Sequence, residues 1–240
     1  MTLEHFFDAA FVINLPSRFD RLIEFGGEWF YRFRTPMGCA VWEGCVHPAS
    51  ANHGCSNSHR TLLKRISESS FERVLILEDD CAVLTSEALL TAGFGPNQES
   101  PVWDTFHKVP GRTLNDRFDF LSPHIPADWD VIYLGAGYGE PPLSRANEFC
   151  LRVGFTQTTS SYGVTRDFAK KFTAHLDEHL GSLDNYPGPA DNMLSQLSRE
   201  FKYYCLQPRL CYQRESFSDI AGRATCYIQS MTDPTHERMV

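Results

Sequence analysis

The sequence predicts an α/β fold, and three stretches carry that expectation. Residues 10–15 (AFVINL) form an apolar strand pattern that runs into Pro16, Ser17 and a helical stretch, PSRFDRLIEF, with Pro and Ser at favoured first-turn positions. Residues 56–68 (SNSHRTLLKRISE) set Leu62, Leu63 and Ile66 on one helical face, with Ser56 or Ser58 as cap and Gly54 permitting a tight turn. A second strand follows directly: Val74–Leu77 in FERVLILEDD is short, apolar and branched, as a buried strand should be. Strand, helix, helix and strand in this order give a βαβ-like layout. A chain of 240 residues can bury a sizeable core, as one large domain or two small ones.

The run of acids after Leu77 organises the functional reading. Glu78, Asp79 and Asp80 cannot follow an apolar run into a core without paired cations, so they are expected where the strand leaves the sheet. In open α/β sheets the ligand crevice lies outside the carboxyl ends of the strands. Oxygen ligands there suit magnesium or manganese and, through the metal, a phosphate. Arg18 and Arg21 lie three apart on the first helix, where guanidiniums beside a helix N-terminus would suit a nucleotide; solvated surface arginines are the plainer alternative.

Composition narrows the classes. Net charge is −8, and no Lys/Arg stripe is present, which argues against a nucleic-acid partner. No apolar stretch reaches the roughly 18 residues of a membrane span. The opening MTLEHFFDAAFVINL lacks a basic segment before a long apolar one, so a signal peptide is not expected. The eight cysteines contain no CxxC pair and are expected as reduced thiols of a cytoplasmic enzyme. Cys39, Cys45, His47, His53, Cys55 and His59 crowd together, but their spacings match no paired zinc pattern.

The remaining segments follow in order. WFYRF (29–33) has the alternation of a strand. A short helix is expected at 86–92, then an irregular, proline-rich insertion or flap over 93–128, its aromatics able to fold over a site. DVIYL (130–134) is a strand leading to GAGYGEPP. The GxGxG spacing and Pro141–Pro142 exclude a dinucleotide fingerprint, and no GxxxxGK[ST] loop exists. QTTSSYGV (157–164) is a strand, residues 166–180 and 189–199 are helices with Asp191 in the first turn of the second, and 201–206 is a short strand. A loop with strand character and a frayed tail, 226–240, end the chain.

Taken together, several motifs resemble glycosyltransferase family 25, which includes lipopolysaccharide and collagen galactosyltransferases. FVINLPSRFDR, GCSNSH (54–59), RVLILEDD, WDVIYLG, SSYGVTRDFAKKF, PADNML and PRLCYQRESFSDI arrive in the family's order and span most of the chain. The resemblance implies a GT-A-like single domain, a mixed, mostly parallel sheet with helices on both faces. Residues 1–92 would be the nucleotide-sugar-binding half and 129–225 the acceptor-side half. It implies a UDP-sugar donor, UDP-galactose above all, Mn2+ (or Mg2+) as metal, inversion at the anomeric carbon, and a glycan or other hydroxyl acceptor. On that pattern Asp80 is the expected metal ligand and Glu78 its companion, with Glu78 or Asp79 reaching the ribose or a metal-bound water. Strand alternation puts Glu78 and Asp80 on one face and Asp79 on the other, where Asp79 would be structural. Asn14, Arg18, Ser58, His59, Ser218 and Asp219 are the expected donor contacts, each with a local structural role as the alternative. Asp191 is the expected general base, or a helix-capping carboxylate. A silent carbohydrate-binding scaffold on the same fold and a nucleotidyltransferase are the competing functions. The retained acids argue against the first, and the missing glycine-rich phosphate loop against the second.

Overall fold

A computed structural model describes residues 1–48, 50–96, 101–180, 188–218, 223–225 and 227–232. Helix α1 (Leu3–Phe6) leads into strand β1 (Ala9–Asn14), and helix α2 (Phe19–Glu28) continues as a π-helical turn, Trp29–Phe33. Strand β2 (Cys39–Glu43), helix α3 (Ala51–Ser67), strands β3 (Arg73–Glu78) and β4 (Cys81–Val83), and helices α4 (Ser86–Thr91), α5 (Pro101–Lys108) and α6 (Leu114–Leu121) follow. Strands β5 (Val131–Tyr138), β6 (Ser144–Asn147), β7 (Cys150–Arg152) and β8 (Thr156–Thr165) precede helices α7 (Arg166–Leu180) and α8 (Ala190–Ser195). Strands β9 (Tyr203–Leu206), β10 (Cys211–Gln213), β11 (Ser216–Ser218) and β12 (Arg223–Thr225) and helix α9 (Ile228–Thr232) complete it.

One 8-stranded sheet, in the order β2-β1-β3-β8-β5-β9-β7-β6, forms the centre. Its β1–β2, β1–β3 and β5–β9 pairs are parallel, and the antiparallel pairs leave only β8 and β7 running against the common direction. The sheet is mixed and mostly parallel, as expected, and helices cover both faces. Alternation along the strands separates two cores. Val12, Leu75, Leu77, Ile132 and Leu134 meet Phe25, Phe33 and Phe118 on one face. Ile13, Val74, Ile76, Val131 and Tyr133 meet Leu62, Phe168 and Leu194 on the other. Both faces of β3 are buried, which is why its sequence reads as a continuous apolar run.

Several local expectations are corrected. WFYRF is a π-helical turn because Phe25, Trp29 and Phe33 recur every four residues and pack together, with ring centroids 4.8–6.3 Å apart. Helix α2 starts at Phe19 with Arg18 as N-cap, leaving Pro16 and Ser17 in a preceding turn. Helix α3 starts at Ala51, where Ser50 accepts a hydrogen bond from His53 N, so Ser56 and Ser58 lie inside it. Gly54 is therefore helical; a Cβ there would stand 2.5 Å from the Cys45 carbonyl oxygen, and close approach of that loop is what requires glycine. The described part of 93–128 is no irregular flap. It holds α5 and α6, the latter opened by a Thr113–Asp116 capping box and anchored by Phe118, whose ring centroid is 5.1 Å from that of Phe6. The described part of the supposed tail is α9, whose Met231 is fully buried against the sheet. Among the described residues, no helix is long and apolar enough to cross a membrane.

Candidate functional site

The ends of β1 and β3 build the site. Ile13 pairs with Glu78, so Asn14 and the three acids leave the sheet side by side at its carboxyl edge. The chain turns at Asp79–Asp80 and re-enters as β4. Strand β10 lies antiparallel to β4, with Gln213 opposite Cys81, which carries the C-terminal segment to the acids. Gly135 allows this: a Cβ there would fall 2.0 Å from the Cys211 carbonyl oxygen. Together these elements enclose a cavity of about 330 Å3 whose lining includes Arg21, Cys55, His59, Glu78, Asp79 and Asp80.

The acids emerge from the sheet without reaching open solvent: Asp79 and Asp80 are only 5% and 3% exposed. Arg21 Nη1 compensates them, 2.9 Å from Asp79 Oδ1 and 3.4 Å from Asp80 Oδ2. Asn14 Nδ2 donates to Asp79 Oδ2 at 2.7 Å, and Gln213 Nε2 to Asp80 Oδ2 at 3.1 Å. Glu78 belongs to a different network. Its Oε1 accepts from the Thr159 hydroxyl at 2.5 Å and lies 3.1 Å from His59 Nε2, while His59 Nδ1 meets the Tyr162 hydroxyl at 2.8 Å. The turn thus breaks the strand alternation. Asp79 and Asp80 share Arg21, and Glu78 is the acid that stands apart, against the expected pairing of Glu78 with Asp80.

These surroundings separate the three carboxyls electrostatically. Burial acts to raise Glu78, but the bonds and charge from His59 and the Thr159 hydroxyl outweigh it and hold Glu78 below the usual range. Burial raises Asp79, partly offset by Arg21. Burial, then the Glu78 charge, pushes Asp80 up to about 7, against the pull of Arg21. Asp80 Oδ1 is also buried with no hydrogen-bond partner among the described residues. An orphaned carboxylate oxygen costs free energy unless something else occupies it. A hard divalent cation fits an orphaned carboxylate oxygen; a contact from Glu78 would use Oε2.

Asp191, in the first turn of α8, is near Cys55 but is not among the cavity's lining residues. The segment before α8 joins α3 through the Ser56 hydroxyl, which donates to the Gly188 carbonyl at 2.6 Å, and the Cys55 thiol feels Glu78, Asp191 and Asp80 together. Asp191 Oδ1 accepts from Asn192 N at 2.8 Å and Oδ2 from Thr158 N at 3.2 Å. Thr158 has φ 69°, a left-handed conformation that costs a β-branched residue about 1–3 kcal/mol. The Asp191 bond falls on the strained amide itself, and the next residue, Thr159, is the one that binds Glu78.

No family model matches the chain, and no curated protein matches its sequence. Among solved structures it is similar to a glycosyltransferase involved in glycosylating the major capsid of PBCV-1, at 10% identity over 82% of this chain and 80% of that one, TM-score 0.41. It is also similar to a Drosophila beta-1,4-galactosyltransferase 7 mutant in complex with manganese, UDP-Gal and xylobiose, at 10% identity over 97% and 80%, TM-score 0.45. At TM-scores below 0.5 neither likeness bears on what this chain does.

Of the residues expected at the site, Ser58, His59, Glu78, Asp79 and Asp80 line the cavity and Asn14 is bonded to Asp79; Asp191 is not among the lining residues, and its charge acts on Cys55, which is. Ser58 shapes the wall: its hydroxyl donates to the Gly54 carbonyl and accepts from Cys45 N, both at 2.7 Å. Arg18 turns to the exposed Asp20, 3.1 Å away, and is not among the cavity's lining residues; Arg21, one helical turn on, takes the place expected for it. Ser218 ends β11, and Asp219 lies outside the described residues. The C-terminal segment reaches the acids through Gln213 and Ser216 instead, the Ser216 hydroxyl accepting from Arg21 Nη2 at 2.8 Å. Thr159, Tyr162 and Gln213 were missed, and none had a local signal; Arg21 was expected at this edge together with Arg18.

Proposed function

We propose that this chain is a metal-dependent, inverting glycosyltransferase that moves a hexose from a UDP-sugar, with UDP-galactose first among donors, to a hydroxyl of a glycan or other acceptor. The observation that carries the reading is Asp80: a buried carboxylate at the carboxyl edge of a mostly parallel sheet, with one oxygen unpartnered, among the residues that line a cavity of about 330 Å3. The ordered motifs resembling family 25 support the donor class.

Asp80 would hold the cation through Oδ1, with Glu78 able to add Oε2; when bound, a divalent cation offsets negative charge developing on a leaving diphosphate. Arg21 partly offsets the burial of two carboxylates side by side. Asn14 fixes Asp79, and His59 and Thr159 fix the Glu78 carboxylate. Asp191, held as an acceptor by two backbone amides, is proposed to take the proton of the attacking hydroxyl. The test is a panel of UDP- and GDP-sugars with manganese, scored for slow donor hydrolysis. UDP release from one UDP-hexose, lost on chelation and in Asp80→Asn, is expected. No turnover of any donor, with none raising thermal stability, would end the reading.

A further inference from the structure

Helix α3 brings a second ligand set to the same cavity. Cys55 and His59, four residues apart, share the helix face opposite Glu78. The Cys55 sulfur, a His59 ring nitrogen and a Glu78 carboxylate oxygen all lie within 4.8 Å of one another. We infer that Cys55, His59 and Glu78 form a zinc site, distinct in chemistry from the all-oxygen site at Asp80. Thiolate and imidazole select borderline metals such as Zn2+, whereas Mg2+ and Mn2+ prefer oxygen.

Two observations beyond the cluster support it. The Tyr162 hydroxyl engages His59 Nδ1, which leaves Nε2 aimed at Glu78; an outer partner of this kind orients a metal-binding imidazole. The Ala190 backbone N–H donates to the Cys55 sulfur and steadies it. All three ligands line the cavity, which supplies an entry path and an open fourth position. On binding, the thiol proton passes to solvent.

Glu78 belongs to both sites, so zinc bound here withdraws it from Asp80. Zinc inhibition opposed by manganese follows, and that consequence rests on the transferase reading; zinc binding itself does not. The deciding experiment titrates the full chain with Co2+ as an optical stand-in for Zn2+. A thiolate-to-cobalt charge-transfer band is expected at one equivalent, displaced by Zn2+, lost in Cys55→Ser, weakened in His59→Gln, and kept in Cys39→Ser and Cys45→Ser. Circular dichroism confirms that each variant is folded. Absence of the band, its survival in Cys55→Ser, or its loss in Cys45→Ser would overturn the site, whatever becomes of the transferase activity.

Discussion

Two cavities of this molecule, side by side along β4 and β10, differ in what their acids do. The larger, about 580 Å3, is lined in part by Glu28, Arg32, Glu87, Tyr212 and Glu215. Its inner acid is fully engaged: Glu28 accepts from Val83 N at 3.1 Å and pairs with Arg32 at 3.2 Å. The smaller, about 330 Å3, holds Asp80, whose Oδ1 has no partner among the described residues. Glu28 braces α2 against β4, while Asp80 is left with unspent binding capacity. Volume does not separate the two cavities; what their acids are bonded to does, and the proposed metal site is the one whose acid keeps an unsatisfied oxygen.

The comparison breaks most easily at Asp80. Asp80→Asn should lower metal-dependent donor turnover by on the order of 10³-fold, several kcal/mol of lost charge stabilisation. Glu28→Gln should change turnover by less than about twofold, measured by UDP release under the same conditions. Next comes Arg21→Leu, which strips two buried carboxylates of their cation. A loss of about 3–5 kcal/mol is expected in denaturant melts, and a change below about 1 kcal/mol would show that Arg21 is no structural partner of the acids.

Asp191→Asn should reduce transfer by about 10²–10⁴-fold while donor binding persists, read as kcat against donor affinity. Lost donor binding would instead make Asp191 a brace for the Thr158 turn. The smallest effect is with pH. Because Asp80 titrates near 7 in the fold, the native chain holds a proton that the unfolded chain releases near pH 4. Its contribution to stability therefore falls as pH rises between those values, while cation binding strengthens. Melting temperatures from about pH 5 to about pH 8 should show the metal-free protein losing a few degrees and the manganese increment growing. Asp80→Asn should flatten both trends.

The same contrast explains what the chain disclosed in one dimension. Strand β3 and its acids were legible because a strand buried on both faces must be apolar throughout and must release its charges at its end. The 29/33 aromatics were read at strand period, although Phe25, Trp29 and Phe33 carried the helical one. The Thr113–Asp116 capping box lay unread within the proline-rich stretch. Ser56 and Ser58 resembled caps, and only the packing of the Cys45 loop on Gly54 shows that the helix begins earlier. Gln213 and Thr159 reach Asp80 and Glu78 across 133 and 81 positions through strand pairing that no local pattern encodes. Arg18 and Arg21 were indistinguishable until Asp20 claimed the first.

Manganese binding followed by electron paramagnetic resonance, with and without UDP, tests the central claim most directly. One bound ion per chain, tightened by UDP, absent in Asp80→Asn and intact in Glu28→Gln, is the predicted result. Undiminished binding in Asp80→Asn, or its loss in Glu28→Gln, would contradict it.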